Sequence, residues 1–387
     1  MNNFTFHNPV RVYFGDDKLQ ELPDLVKEFG SKVLLVYGKS SIKRMGLYDK
    51  VVDLLQSNNI DIVELSGIDP NPRIESVREG GELCKKHDID LVLAVGGGSV
   101  IDAAKGIASA ALYDGDPWDF YSYKVQSEGA LPIGTILTLS ATGSEMNRGS
   151  VVTNLKTKQK HGWGSPYTYP KFSILDPRNT FTVNQHQTGC GIVDSLTHVY
   201  EFYFSKNDNY LNNRICEAIM KTVIHYGPQA IDNPENYEAR ANLMFGSTLA
   251  LNGLTGFSNT WDGFNHTTEH VLSAYYDIAH ADGLAILGPH WMNYILDESN
   301  VQKFKEFAIN VWEVEDRGTD MEIAKRGIQA VFDFYQSIHM PTQLSNVNID
   351  DKEFDEIASY ATRYGESVGR FKELSKDDVL QILINAK

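Results

Sequence analysis

Cysteine is scarce: Cys84, Cys190 and Cys216 are the three in 387 residues. An odd number at wide spacing excludes a disulfide frame and points to buried thiols in a reducing cytoplasm. Basic charge is short as well. Lys plus Arg number 35 against 51 Asp plus Glu, a formal net charge of -16. Such a chain offers no groove for nucleic acid and no patch for an anionic membrane surface. No apolar run is long enough to span a bilayer. The Met1-Asn2-Asn3-Phe4 start has no basic stretch leading into an apolar one, so no signal peptide is expected. What is present, 42% hydrophobic and 22% charged residues, is a soluble globular composition. At this length two domains are expected rather than one core.

The first half alternates strands and helices. Lys32 to Val36, Asp61 to Leu65, Leu91 to Val95, Leu131 to Leu139 and Phe172 to Leu175 read as strands, mostly short apolar runs of the buried parallel kind. Helix-period segments lie between them, as at Arg73 to His87. Phe4 to Phe14 alternates as a strand would before the turn at Gly15-Asp16-Asp17. The expectation is an α/β domain over residues 1–180, a doubly wound, mostly parallel sheet. After Asn184 the strand signals fade, and nine helix-period segments follow from Cys190 to Ala386. Residues 181–387 are therefore expected to form an all-helical domain without repeats.

Two loops in the first half carry chemistry. Leu91 to Val95 runs directly into Gly96-Gly97-Gly98-Ser99-Val100-Ile101-Asp102. Glycines at a strand-to-helix junction let backbone N–H groups approach an anion, and the helix adds unpaired donors and a positive dipole end. This reads as a pyrophosphate cradle. It is not the usual dinucleotide fingerprint, since Ile101 stands where the third glycine belongs, and no Gly-Lys-Ser/Thr makes it a P-loop. The fourth strand ends in Thr138-Leu139-Ser140-Ala141-Thr142-Gly143-Ser144, hydroxyls at a strand's carboxyl end, where such sheets bind ligands. Thr138, Thr142 and Ser144 are candidates for phosphate or nicotinamide contacts, against the alternative of an ordinary capped loop. Lys160, beyond a hairpin, either reaches the cofactor or is a solvated charge.

Six of the 11 histidines fall between His198 and His290. Asp194 and His198 are four residues apart and share a helix face; His266 and His270 repeat the spacing, and His280 follows. One carboxylate with several imidazoles suits a divalent first-row metal, Fe(II) or Zn(II), rather than calcium or a thiolate-bound structural zinc. The competing reading of any one such pair is a helix-surface contact. Phe257, Trp261 and Phe264 precede His266 and are candidates for a substrate-pocket wall, with core packing equally open.

Taken end to end, the chain resembles the iron-containing (group III) alcohol dehydrogenases, and most the butanol dehydrogenase-like branch, which reduces short-chain aldehydes with NAD(P)H. The resemblance rests on Arg11-Val12-Tyr13-Phe14-Gly15, Gly96-Gly97-Gly98-Ser99, Ala141-Thr142-Gly143-Ser144-Glu145, Tyr237 to Met244, Glu269-His270 and Ser273-Ala274-Tyr275-Tyr276-Asp277-Ile278. It implies the dehydroquinate synthase-like architecture, a homodimer, and Asp194, His198, His266 and His280 as metal ligands. It implies that His270 lies beside the nicotinamide as a proton carrier. The expected cofactor contacts are Gly38, Ser40, Ser41 and Asn71, then Gly97, Gly98, Ser99 and Asp102, then Thr138, Thr142, Ser144 and Lys160.

The sequence departs from the family pattern at Ala281, often Gly, and after Gly38, where NAD-preferring relatives carry Asp. Here Lys39-Ser40-Ser41 is followed by Lys43-Arg44. Hydroxyls and cations accept a 2′-phosphate that a carboxylate would repel, so NADP(H) is favoured over NAD(H). Iron is the expected ion, with zinc as the alternative. The rival functions are a polyol dehydrogenase of related fold and a non-catalytic metal- or nucleotide-binding regulator.

Overall fold

The computed structural model describes residues 1–207, 209–363 and 365–387. The described strands are β1 (Arg11–Phe14), β2 (Lys32–Tyr37), β3 (Asp61–Leu65), β4 (Leu91–Gly96), β5 (Ile133–Leu137), β6 (Gly149–Asn154), β7 (Gln159–Gly164) and β8 (Phe172–Leu175). Six of them form a sheet in the order β1-β8-β5-β4-β2-β3, and β6 pairs with β7 as a separate antiparallel hairpin. Every pairing within the large sheet is parallel.

The apolar runs explain this arrangement. Successive side chains on a strand face opposite ways, so a strand covered on both faces needs apolar residues at every position. Leu34, Val36, Val92 and Ala94 pack into one core, with Ile101, Ala104 and Ile107 of the Gly98–Ala110 helix. Val33, Leu35, Leu91, Leu93 and Val95 pack into the other, with Leu47, Val51 and Leu55 of the Leu47–Ser57 helix. Edge strand β3 buries only Leu65. The N-terminal alternation is realised over its last four residues alone, where β1 pairs with β8, Arg11 opposite Phe172.

Contacts divide the chain into two compact units. One comprises His7–Val183 and Pro234–Thr248; the other comprises Met1–Phe6, Asn184–Asn233 and Leu249–Lys387. In the sheet-bearing unit, the Pro234–Thr248 segment is held partly by Thr248, whose hydroxyl donates to the buried Glu145 carboxylate at 2.5 Å. The other unit is helical. Its elements include Gln185–Tyr203, Tyr210–Asp232, Phe264–Tyr276, His280–Ile295 and Asp320–Ser337. Local signals set their starts. The Asn184 side chain accepts the Gln187 N–H at 2.8 Å, and Thr319 with Glu322 forms a capping box. An aromatic cluster fills the middle, with the Phe204 ring 4.6 Å from Phe304, 5.2 Å from Phe307 and 5.7 Å from Trp291. Each such buried ring contributes about 1.5–3 kcal/mol relative to leaving it exposed.

Candidate metal and nucleotide centre

Asp194 and His198 lie in the middle of the Gln185–Tyr203 helix, one turn apart, and both are buried. His266 lies in the first turn of the Phe264–Tyr276 helix. That helix ends at Asp277, whose left-handed backbone (φ 51°) reverses the chain, and His280 opens the next helix. The turn returns His280 to the neighbourhood of His266, with 5.3 Å between ring centroids; His198 stacks on His266 at 4.6 Å.

The four side chains meet at one atom. The Nε2 atoms of His198, His266 and His280 lie 3.5, 3.7 and 3.8 Å from Asp194 Oδ1. Those separations are too long for hydrogen bonds. Asp194 Oδ1 and His266 Nε2 are buried without a hydrogen-bond partner. An orphaned buried carboxylate oxygen facing imidazole nitrogens is costly as it stands and is resolved by a cation among them. The donor set of one oxygen and three nitrogens fits a divalent first-row ion.

Two carboxylates orient the imidazoles. His266 donates from Nδ1 to Glu201 Oε2 at 2.7 Å, and its backbone N–H reaches Glu201 Oε1 at 3.2 Å. The indole N–H of Trp261 also donates to Glu201, at 2.5 Å. His280 Nδ1 donates to Glu269, which in turn accepts from the Ser273 hydroxyl. With Nδ1 carrying the proton, Nε2 presents its lone pair to the centre. Both carboxylates are fully buried. Sequence reading passed over Glu201 and named Glu269 only within a motif. The usable signal was their spacing, three residues beyond His198 and three beyond His266.

The electrostatics agree. Burial opposes charge on Asp194, yet the three imidazoles outweigh it and hold the carboxyl well below the usual carboxylate range. Burial drives His198 down to about 4. Burial also opposes charge on His266, but Glu201 and Asp194 overcome it and raise the imidazole to about 10. The pocket therefore calls for positive charge, supplied either by a proton or by a metal ion. His270, half-buried, has its ring 5.5 Å from that of His280 and 6.4 Å from that of His266. Phe264 is fully buried and stacks on Trp291, so it packs the core. Trp261 keeps 40% of its surface exposed, and Phe257 packs on Phe4.

In the sheet-bearing unit, the candidate cofactor residues gather at the carboxyl ends of adjacent strands β2, β4 and β5. Gly97, Gly98, Ser99 and Asp102 follow β4; Thr138, Thr142 and Ser144 follow β5; Gly38, Ser40 and Ser41 follow β2. Asn71 lies in the loop after β3 with a left-handed backbone (φ 49°). None of Gly96, Gly97 and Gly98 has a positive φ, so a tight turn does not explain them. Space does: a Cβ on Gly98 would lie 2.4 Å from the Thr142 side chain, and one on Gly96 would lie 2.5 Å from Val100. Asp102 and Ser144 serve the scaffold. Asp102 accepts from the Ser144 hydroxyl at 2.5 Å and from the Val151 N–H at 2.9 Å. Buried Lys105, lowered to about 8 by burial, donates to Ser144 at 2.7 Å and to the Gly149 carbonyl at 2.7 Å. Lys160 is buried on β7 opposite Thr153. After β2, Lys39 pairs with Asp69 at 2.8 Å and Arg44 donates to Ser40 at 2.8 Å.

Comparison with known proteins gives a consistent result. Residues 9–177 match the family described as iron-containing alcohol dehydrogenase, and residues 188–387 match the C-terminal region of the Fe-containing alcohol dehydrogenase family. The chain is 49% identical to a probable NADH-dependent butanol dehydrogenase 1 of Bacillus subtilis, over 99% of each chain. It is 37% identical to the NADPH-dependent aldehyde reductase YqhD of Escherichia coli, over 90% of each. The crystal structure of NADH-dependent butanol dehydrogenase A from Thermotoga maritima superposes with a TM-score of 0.96 at 41% identity, covering 100% of this chain and 99% of that one.

Proposed function

The chain belongs to the iron-containing alcohol dehydrogenase family, and from that premise we propose that it interconverts short-chain primary alcohols and aldehydes, of the butanol and butanal type. The observation that carries the reading is the convergence of three histidine Nε2 atoms on the orphaned, buried Asp194 Oδ1. When bound, a divalent ion there supplies Lewis acidity toward the alcohol or aldehyde oxygen, and the nicotinamide supplies the hydride donor or acceptor.

The chain's own residues do the rest. Asp194, His198, His266 and His280 hold the ion. Glu201 and Glu269 keep the Nδ1 proton of His266 and His280 engaged, so that each Nε2 turns its lone pair toward the ion. The Gly96-Gly97-Gly98 turn and the helix it opens bind the pyrophosphate through backbone N–H groups. His270 carries the proton between the reacting oxygen and solvent. Iron is the proposed ion and zinc its alternative, since oxygen and imidazole donors accept either. NADP(H) is the proposed preference, supported by Lys39, Arg44 and the lack of a carboxylate directly after Gly38. Asp69 beside Lys39 works against it, and the relatives include both NADH- and NADPH-dependent enzymes. A homodimer and a cytoplasmic location complete the proposal. The location is supported by Cys84, Cys190 and Cys216, three thiols that suit a reducing compartment.

The test is NADPH oxidation with butanal, followed on protein as purified, after chelation, and after return of Fe(II) or Zn(II), with NADH and with glycerol oxidation in parallel. Activity lost on chelation and restored by one ion supports the reading. Turnover that survives complete metal removal, or metal and activity both retained in His266→Ala, overturns it.

A further inference from the structure

We propose that His186, Cys190 and Asp282 form a second divalent-metal site, of the borderline-soft class that zinc represents, separate from the Asp194 cluster. The two sites share a scaffold. His186, Cys190, Asp194 and His198 follow one another at four-residue intervals along the Gln185–Tyr203 helix, so they line a single face. Asp282 comes from the first turn of the His280–Ile295 helix, two residues beyond His280. One stripe of one helix therefore carries donors for two clusters, and the His280–Ile295 helix adds a donor to each, His280 to the first and Asp282 to the second.

The donor geometry suits one small ion. His186 Nε2 lies 2.8 Å from Asp282 Oδ1 and 3.8 Å from Cys190 Sγ, and one donor atom from each of the three residues lies within 4.8 Å of the other two. Around a tetrahedral zinc with bonds of about 2.0–2.3 Å, donor atoms sit roughly 3.3–3.6 Å apart. The two His186 separations lie on either side of that range, and the third, between Cys190 and Asp282, is within 4.8 Å, so side-chain rotation of these three residues is what would complete the site. Access is open. The His186 side chain is 51% exposed, and it lines, with Asp282, an open cavity whose wall also carries His290 and His339.

The chemistry differs from that of the first cluster. Asp194, His198, His266 and His280 offer no sulfur, whereas Cys190 offers a thiolate once an ion binds and its proton leaves to solvent. A thiolate and a carboxylate balance the charge of a divalent ion. Without an ion, the same three residues form only a His–Asp hydrogen bond beside a thiol.

Cobalt(II) separates these two states, because a sulfur ligand gives a near-ultraviolet thiolate-to-cobalt charge-transfer band that nitrogen and oxygen ligands do not. Chelated full-length protein would be titrated with cobalt(II), recording that band together with bound metal per chain. The expected result is two equivalents, one of them carrying the band. Cys190→Ser should lose the band and one equivalent, and Asp194→Asn should lose the other equivalent while keeping the band. His186→Ala, a change at a half-exposed position, should weaken the band-bearing equivalent at least tenfold. One equivalent with no band, a band that survives Cys190→Ser, or a band lost in Asp194→Asn each overturns the proposal.

Discussion

Replacing Glu201 by Gln tests whether the centre depends on an orienting carboxylate. In the folded protein Glu201 is fully buried and accepts three donors: the His266 ring, the His266 backbone N–H and the Trp261 indole. Gln has the same shape but one acceptor oxygen and one amide donor. If the amide faces His266, it donates to Nδ1, the imidazole proton moves to Nε2, and the lone pair aimed at Asp194 Oδ1 is lost. Loss of such a partner costs about 10–100-fold in metal affinity, or roughly 1.4–2.8 kcal/mol. Removing a buried charge-assisted hydrogen bond also costs about 1.5–3 kcal/mol of stability. The assay is competition for zinc or cobalt(II) against a chelator of known affinity, with thermal unfolding of the metal-free and metal-loaded protein beside it. Activity at saturating metal should recover part of the loss, because the ion re-imposes the tautomer. A Glu201→Gln protein that binds metal as tightly as the parent would refute the orienting role.

The raised His266 makes the metal-free protein pH-sensitive. A histidine whose folded value, about 10, exceeds its ordinary 6.5 contributes stability that is fully present below about 6.5 and is lost as pH rises toward 10. Chelated protein should therefore lose melting temperature across that window while metal-loaded protein loses less; parallel curves would contradict this. Gly98→Ala puts a Cβ 2.4 Å from Thr142, so it should cost about 1–3 kcal/mol and raise the KM for the nicotinamide cofactor. An unchanged KM would remove the close-approach account of the glycine loop. Lys39→Asp should move the ratio of kcat/KM for NADPH over NADH downward by at least tenfold, measured with butanal; an unmoved ratio would show that Lys39, already paired with Asp69, takes no part in the choice.

Parts of this protein were legible in the chain because they are local. A buried parallel strand must be apolar at every position, so Leu91 to Val95 announces itself. A helix places residues four apart on one face, so Asp194 and His198 pair by spacing alone. The glycine run after β4 and the hydroxyl loop after β5 follow from backbone chemistry at strand ends. Other features depend on residues distant in sequence meeting in space. Only the packed helices bring His266 and His280 to Asp194 Oδ1, across 72 and 86 residues of chain, and only they turn Glu201 and Glu269 onto the rings. Spacing could not show that Asp102 and Ser144 hold the helix to the loop, or that Phe264 lies against Trp291 in the core. Periodicity encodes which face of an element is covered; which atoms then meet is decided by the packing of elements that lie apart in the chain.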